Sequence, residues 1–562
     1  MTDSVLYVRG EIQPWTDYAG HRAPAGGAPL LALLDDLLPD PGSRTLVVGP
    51  HSPELIELAA SRTGALTVLV RSVSDARDLR AAVPSPTVTV ITGALDGLAG
   101  APPYDVVIAA DGLDRVLGAD SPALDWPARL ALLSALATED AVVLVAVANE
   151  FALTGLYDRR PVGERHGDDE WRPLHDDPAR PTSPAQVAAA LGPRLSRLYA
   201  TFDAAGLSHT LLDAAAAAAT RPGRPAARLA AEALAVTAAH TPLLAPVADG
   251  ADAAARAGLL AAVAPGWLAL LGSGGATHTA YAPAGSPSAG GVLLADLDES
   301  GWTLSVRGQA AAVPASRLPD TESAETLLFR LAAAENVPGF RAIAARLGAW
   351  AGLADGLVLL DDLYPDGDDF ARGLTHPAGG EDAPAILAAA YHRLRDRLVR
   401  AHRRHPWPPW MVDSDDLVTT WLGMSGIADN AVAVKRGREI ADGLAAPRAG
   451  EPDLRTVLAG AEDDRRRAAD LAGKVFGLER TLGFRDQSLR TREQEIRALR
   501  EELRTTAEEL RATRGELRTA TAELLRLHAL PVMRLHSVTR KVAKVRYPRQ
   551  FARAIKHRLR KG

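Results

Sequence analysis

The sequence predicts an α/β protein in which a mostly parallel sheet ends in an antiparallel hairpin and is followed by an α+β domain and a long C-terminal coiled coil. Between Pro29 and Asp213, short apolar runs alternate with amphipathic helical stretches. These runs lack polar alternation, which is typical of strands covered by helices on both faces. Further along, an apolar residue recurs every seven positions from Val475 to Leu524, which indicates a coiled coil. A chain of 562 residues is expected to form about three domains.

The predicted sheet begins with five buried strands. They are TLVVG (45–49), LTVLV (66–70), TVTVI (87–91), DVVIAA (105–110) and AVVLVAV (141–147). Residues 53–61 and 127–137 are predicted helices between them. The runs RLYATF (197–202) and SHTLLDA (208–214) predict the hairpin, with residues 203–207 as its connection. A parallel sheet that finishes in a hairpin narrows the choice among α/β folds considerably.

Residues 216–450 predict a second unit, an α+β domain with a small mixed sheet. Its predicted strands are 266–271, 277–282, 291–297, 302–307 and 356–363. The glycine-rich run 272–281 superficially suggests a kinase loop. However, no lysine precedes Lys435 to pair with nucleotide phosphates, and the chain has no HRD-like loop and no DFG. These absences argue against ordinary kinase chemistry.

Two clusters in this unit suggest a binding site but favour ordinary structure. The first is a group of acidic residues: Asp361, Asp362, Asp366, Asp368 and Asp369. An EF-hand loop would need ligands where Tyr364 and Gly373 stand, so a solvated turn is predicted. The second is HRRHPWPPWM (402–411), whose Trp407 and Trp410 are predicted to pack at a helix end rather than to bind a carbohydrate.

Composition and charge limit the function further. The chain contains no cysteine, which excludes disulfides, thiolate metal sites and cysteine nucleophiles. The N-terminus MTDSVLYVRGEIQPW does not resemble a signal peptide. The formal net charge is −6, yet residues 534–562 hold eleven Lys/Arg and no Asp/Glu. An acidic body therefore carries a basic tail.

Three segments resemble class I S-adenosylmethionine-dependent methyltransferases. They are TLVVGPHSPELIELAA at the first strand, YDVVIAADGLDRVLG at the fourth and AVVLVAVANEFALTGL at the fifth. The resemblance covers about residues 29–215 and implies a Rossmann-like methyltransferase domain over residues 1–215. It implies S-adenosylmethionine as cofactor, bound by Gly49, Pro50, His51, Arg71, Asp75, Gly93, Ala94 and Asp111. It also makes His51, Asp111 and His166 the candidate catalytic groups.

The sequence departs from that family at two important positions. His51 stands where the first loop has a glycine in the family, and Arg71 stands where an acid is expected to bind the ribose. A carboxylate accepts hydrogen bonds from two hydroxyls, whereas a guanidinium only donates. Two interpretations stay open: His51 and Arg71 hold the cofactor in another way, or the fold persists and cofactor binding has been lost.

Residues 464–530 predict the coiled coil. One seam position is almost uniformly leucine: Val475, Leu482, Leu489, Ile496, Leu503, Leu510, Leu517 and Leu524. The second seam position is mixed: Leu471, Leu478, Arg485, Arg492, Leu499, Thr506, Thr513, Ala520 and Leu527. A lone helix would leave its leucines in water, so a homo-oligomer is predicted.

The basic tail, residues 531–562, carries apolar residues at helical spacing between its cations. They are Val538, Val542, Val545, Phe551, Ile555 and Leu559. This pattern suits an anionic membrane surface. Nucleic acid is the competing polyanion, but a phosphate-binding arm does not need apolar stripes, so no specific nucleic acid is expected.

The order of segments is similar to that of bacterial O-antigen chain-terminating methyltransferase/kinase proteins, although the kinase motifs are missing. The leading hypothesis is a methyltransferase-like enzyme that acts on a cell-envelope glycan or its lipid-linked precursor. It would be cytoplasmic and peripheral at the inner face of the cytoplasmic membrane. The alternative is a non-catalytic scaffold with a degenerate methyltransferase fold, whose coiled coil organises glycan-biosynthesis enzymes.

Overall fold

The computed structural model describes most of the chain. The described residues are 5–12, 15–18, 22–38, 41–118, 120–160, 177–204, 207–238, 241, 243–272, 274–284, 291–308, 317–352, 356–374, 382–428, 430–444, 454–532, 535 and 539. They fall into two compact units, Met1–Val457 and Leu458–Gly562.

One mixed sheet organises the first unit. Its strands are β1 (Leu6–Tyr7), β2 (Arg44–Val48), β3 (Ala65–Val70), β4 (Val88–Thr92), β5 (Tyr104–Ala109), β6 (Ala137–Ala148), β7 (Leu195–Ala204), β8 (Leu207–Asp213), β9 (Gly266–Leu271), β10 (Ala280–Pro283), β11 (Val292–Asp298), β12 (Gly301–Arg307) and β13 (Arg317–Leu318). Their order is β1-β4-β3-β2-β5-β6-β9-β7-β8-β10-β11-β12-β13. The strands from β1 to β6 pair in parallel. All later pairings are antiparallel.

Helices flank and follow this sheet. Those of the first unit are α1 (Ala28–Leu37), α2 (Pro53–Arg62), α3 (Val73–Ala82), α4 (Trp126–Ala135), α5 (Leu153–Tyr157), α6 (Pro184–Leu191), α7 (Ala214–Ala219), α8 (Pro225–Ala238), α9 (Val247–Ala257), α10 (Ala324–Ala333), α11 (Val337–Ala351), α12 (Ala383–Arg400), α13 (Pro409–Val412), α14 (Asp416–Met424) and α15 (Ala431–Gly443). Local sequence explains several starts. Ser52, Ser72 and Asp125 cap α2, α3 and α4, because each side chain accepts a main-chain N–H of the first turn.

The five predicted parallel strands are confirmed as β2–β6, but the predicted hairpin does not close the sheet. Strands β7 and β8 do form the hairpin, yet β9 lies between β6 and β7 and pairs with both. Every residue of β9 is buried, so this strand needs neighbours on both edges and covers on both faces. Of the other strands expected to form a small separate sheet, those at 277–282, 291–297 and 302–307 extend the large one beyond β8 as β10–β12. The sheet therefore crosses the boundary predicted at residue 215. The strand predicted at 356–363 is wrong, because residues 356–359 form no strand and Leu360–Asp362 is a 3₁₀ turn.

A cluster of aromatic side chains fills the core formed by α10–α15. Trp407 is buried, and its ring centroid lies 5.0 Å from that of Phe340 and 5.1 Å from that of Trp421. The prediction of packing is confirmed for Trp407. The prediction is wrong for Trp410, which is 64% exposed.

The acidic cluster lies beside a separate two-stranded sheet, β14 (Leu363–Asp366) and β15 (Asp369–Arg372). The predicted solvated turn is wrong for two of its residues. Asp362 is buried, and the Asp361 carboxylate is 2.9 Å from Nη2 of Arg397 and within 3.7 Å of Arg228 and Arg393. Three arginines brought from distant helices hold this carboxylate inside the protein, which its local sequence does not reveal.

The second unit contains the helix α16, whose bounds are Leu454–Ala529. The predicted coiled coil lies within it, apart from its last residue. The leucines at its more uniform seam position are between 55% and 69% exposed in the single chain. Of the basic tail, only residues 531, 532, 535 and 539 are among those described. Across the described residues, no helix is both long and apolar enough to cross a bilayer.

Candidate functional site

The candidate site lies at the carboxyl edge of β2–β5, the edge at which open α/β sheets bind ligands. The chain turns after β2 at Gly49, whose φ of +91° lies in the left-handed region that favours glycine. The first loop is short, since α2 begins at Pro53 after its capping residue Ser52. This loop therefore has the strand, turn and helix geometry that the sequence predicts.

His51 is completely buried, and both of its ring nitrogens are used inside the protein. The main-chain N–H of Ala110 donates to Nε2 at 3.1 Å, so Nδ1 carries the proton and donates to the Gly49 carbonyl at 3.0 Å. Burial lowers the pKa of His51, which keeps the ring neutral. The ring thus links the first loop to the end of β5, and neither nitrogen is free to act as a base.

Arg71 is buried at the end of β3, where an acid was expected. Its Nε and Nη2 each donate to the carboxylate of Asp17 at 2.7 Å, in a bidentate ion pair. The main-chain N–H of Asp17 donates to the Asp75 carboxylate, also at 2.7 Å. Burial raises the pKa of Asp75. Both predicted ribose-side residues are therefore bound to Asp17.

Gly93 and Ala94 follow β4 and face the backbone of residues 8–10. The Ala94 N–H donates to the Arg9 carbonyl at 2.9 Å. A Cβ added to Gly93 would lie 2.4 Å from Cγ2 of Val8 and 2.6 Å from its carbonyl oxygen. The space beside these two residues is filled by protein.

Asp111 follows β5 and forms the second buried ion pair of the site. Its carboxylate accepts from Nε of Arg115 at 3.0 Å and from Nη2 at 2.6 Å. Arg115 also donates from Nη1 to the Asp17 carbonyl at 2.8 Å, and Arg22 donates to the Asp111 carbonyl. The two ion pairs are thereby joined in one network.

Residues 5–12, 15–18 and 22–27, which we call the N-terminal segment, supply most of these partners. The segment crosses the strand ends in turn, since Val8 N–H donates to Thr92 O after β4 and Ile12 N–H donates to Arg71 O after β3. Beyond them, the Ala25 N–H donates to the Pro50 carbonyl at the first loop. All the predicted cofactor residues therefore lie at one edge, and the N-terminal segment covers that edge.

S-adenosylmethionine does not fit the residues as the structure places them. At the end of β3 the ribose hydroxyls would meet a guanidinium rather than an acceptor, and Asp17 already accepts from that guanidinium. The Ala94 N–H, which could meet a base, is bonded to Arg9. Close approach to Gly93 is prevented by Val8. Binding would require the N-terminal segment to leave the edge.

Three important residues of the network were not predicted: Asp17, Arg22 and Arg115. They lie in or beside loops without periodicity, so no pattern in the sequence marks them. The one available signal was the density of charged and aromatic residues in EIQPWTDYAGHR (11–22) ahead of the first strand. His166, the third candidate catalytic group, lies outside the described residues.

A metal site is not present among the residues that the structure describes. Nowhere among them do three or more His, Asp or Glu side chains form a group that could hold an ion. Asp96, close to Gly93, instead pairs with Arg9 and accepts from the Ser121 hydroxyl at 2.7 Å.

Comparisons with known proteins give only distant similarities. No protein-family model matches the sequence, and no curated protein matches it. Similar solved structures include a putative methyltransferase from Pseudomonas syringae, with 18% identity and a TM-score of 0.18. The match covers 22% of this chain and 74% of that one.

Two further similar structures were solved with S-adenosyl-L-homocysteine. The N-methyltransferase NodS from Bradyrhizobium japonicum WM9 is 14% identical, with a TM-score of 0.19, and the match covers 22% of this chain and 61% of NodS. A SAM-dependent methyltransferase from Thiobacillus denitrificans is 18% identical, with a TM-score of 0.20, and the match covers 26% of this chain and 55% of that one. This chain thus spans less than two thirds of either protein. TM-scores this low carry no conclusion about function.

Proposed function

We propose that this protein is methyltransferase-like in fold but acts as a non-catalytic docking unit, held in an oligomer by its coiled coil and at an anionic membrane surface by its basic tail. The observation that carries the proposal is the N-terminal segment. It occupies the edge of the sheet where a methyltransferase would bind its cofactor, and it is bonded to the residues that would do so.

The energetic argument rests on the Arg71–Asp17 pair. A ligand that reached the end of β3 would have to break two charged hydrogen bonds of 2.7 Å. Each such bond contributes about 1.5–3 kcal/mol. A ligand that had to break both would bind about a hundredfold more weakly or worse, because each 1.4 kcal/mol is a factor of ten. His51 does not compensate, since both of its nitrogens are already bonded.

The proposed setting is the inner face of the cell envelope, with glycan-biosynthesis enzymes as the docked partners. Its support is the sequence of the second unit: eight successive heptads, followed by eleven cations without an acid in residues 534–562. Each cation near an anionic surface contributes about 1 kcal/mol of attraction. Coiled-coil association would multiply that attraction by bringing several tails together.

Calorimetry of the full chain with S-adenosylmethionine tests the docking proposal. We expect neither heat nor a thermal shift at millimolar ligand. Arg71→Asp, which restores an acid and repels Asp17, is compared with Arg77→Asp, which makes the same charge change on an exposed position of α3. If Arg71→Asp binds S-adenosylmethionine and the other two chains do not, the result supports the view that cofactor binding was lost through the change at residue 71. Binding by the unaltered chain at micromolar ligand would overturn the proposal.

The membrane part is tested by flotation with vesicles of phosphatidylcholine alone or with a third phosphatidylglycerol. The full chain should float only with the anionic vesicles, and less in high salt, because surface charges are screened. A chain that ends at residue 530 should not float with either. Equal flotation of the shortened chain would show that the tail is not the anchor.

The second candidate function is an active S-adenosylmethionine-dependent methyltransferase. Two observations favour it: the parallel strand order of β4-β3-β2-β5-β6 and the left-handed turn at Gly49. It requires a second conformation in which the N-terminal segment has left the edge. The same calorimetry distinguishes it, since an enzyme must bind its cofactor in the unaltered chain.

A further inference from the structure

The helix α16 presents one continuous apolar stripe along its length. If its leucine-rich position is labelled a, the mixed position three residues later is d. All eight a residues from Val475 to Leu524 are at least 48% exposed in the single chain. An apolar stripe of this length needs a partner helix. The charges beside the stripe indicate the orientation of that partner.

The position before each a residue, g, becomes uniformly acidic in the second half of the helix. Its residues there are Glu495, Glu502, Glu509, Glu516 and Glu523. The position on the other side of the stripe, e, carries bases in the same region: Arg500, Arg514 and, at the end, His528. The two borders of the stripe therefore have opposite charge.

Opposite borders favour one orientation of two helices. In a parallel pair in register, each g residue faces the e residue of the next heptad on the partner. This places Glu495 opposite Arg500, Glu509 opposite Arg514, and Glu523 opposite His528. Near the start of the stripe, Lys474 would likewise face Glu479. No g–e pair from residue 474 to residue 528 sets like charges against each other.

An antiparallel pair is less well matched. There g faces g and e faces e, so in a pair that overlaps along the whole stripe Glu495 would face Glu502 of the other copy. Like charges across such a border oppose association. The charge pattern therefore distinguishes the two orientations, although the leucines alone do not.

The two arginines in the seam face their own copies in a parallel pair, so they need acidic neighbours there. Arg485 and Arg492 occupy d, where they would be costly if unpaired. In both heptads the e residue that directly follows the arginine is an acid, Asp486 or Glu493, while the g residues that would face these acids, Thr481 and Ser488, are uncharged. The acids at e are thus left for the seam arginines rather than for a basic g partner.

We propose that α16 pairs with α16 of a second copy in parallel and in register. This rests on the proposed self-association of the coiled coil and adds its orientation. In a parallel pair the chains enter the coil at the same end and leave it at the same end. Both basic tails then reach one surface together, and both copies of the first unit are attached at the opposite end.

Distances between spin labels test the orientation. The chain has no cysteine, so Gln487→Cys and Ala522→Cys each give one label per copy, on the outer face of the helix. A parallel pair in register should give one short distance, about 20–30 Å, for both variants, since a helix with side chains is about 10–12 Å wide. The two sites are about 50 Å apart along the helix at 1.5 Å per residue.

An antiparallel pair and a monomer would each give a different result. In any antiparallel register at most one of the two variants can give a short distance, because moving the label by about 50 Å changes the separation between copies by about twice that amount. Such a result would overturn the orientation while leaving self-association intact. A monomer in sedimentation at micromolar concentration would instead overturn the proposed self-association itself.

Charge reversal gives a second test, because it should change the stability of a parallel pair and of an antiparallel pair in opposite directions. Glu495→Arg with Glu509→Arg should weaken a parallel pair about tenfold or more, because four attractive contacts become repulsive. The same change should strengthen an antiparallel pair, since the repulsion between Glu495 and Glu502 of the other copy becomes an attraction. The matched control is Glu501→Arg with Glu508→Arg, which makes the same charge change on the outer face and breaks only contacts to Arg504 within the helix. An equal effect of the two double variants, or strengthening by the first, would overturn the proposal.

Discussion

Replacing Asp17 by alanine should destabilise the first unit more than any surface substitution. Arg71 is 1% exposed and forms two hydrogen bonds of 2.7 Å with the Asp17 carboxylate. Removing one partner of a buried ion pair costs about 3–5 kcal/mol, because the remaining charge stays buried. That is a large part of the 5–15 kcal/mol by which a domain is typically stable. The N-terminal segment should also loosen, since the Asp17 carboxylate anchors it to Arg71, although the bond from Arg115 to the main-chain carbonyl of residue 17 remains.

Urea unfolding of the full chain, followed by tryptophan fluorescence at pH 7, measures this loss. Glu322→Ala is the matched control, because it removes a carboxylate from the pair with Arg330, whose side chain is 62% exposed. Surface pairs contribute about 0–1 kcal/mol. A combined replacement, Asp17→Leu with Arg71→Met, should recover most of the stability, since no charge is left unpaired. If Asp17→Ala costs no more than Glu322→Ala, the buried pair does not anchor the segment and the reasoning is wrong.

Three further predictions follow from the same structure. Burial lowers the pKa of His51, so this residue binds a proton more readily in the unfolded chain. Stability should therefore fall as the pH drops below about 6.5. The urea midpoint of His51→Gln should change less between pH 7.5 and 5.5 than that of the unaltered chain. A Cβ at Gly118 would lie 2.1 Å from the carbonyl oxygen of Gly10. Gly118→Ala should therefore displace the N-terminal segment and speed its proteolysis. Gly423→Ala is the control and should not, because a Cβ there meets nothing within 4 Å. Asp361→Ala should lower the free energy of unfolding by about 3–5 kcal/mol, because it leaves three arginines without this carboxylate; a loss under about 1 kcal/mol would contradict the role given to that cluster.

The sequence by itself determined the elements whose cause is local. Buried runs such as TLVVG and AVVLVAV became strands because short apolar runs rich in valine favour a buried strand over a helix. The heptads of residues 475–524 likewise predicted one long helix with an apolar stripe, since a period of seven residues is a property of the sequence alone. The positions of the candidate site residues followed from the strand ends, so Gly49, Arg71, Ala94 and Asp111 were expected at one edge.

Tertiary structure decided what those residues do. Arg71 was expected to meet a ligand or nothing, yet its partner is Asp17, 54 residues earlier in the chain, and no local pattern specifies a contact at that separation. The position of β9 between β6 and β7 is of the same kind, because an apolar strand indicates burial but not which neighbour it joins. The edge of the sheet is therefore covered because of long-range pairing. Buried charges need opposite charges, and only the folded chain brings Asp17 to Arg71 and to Arg115.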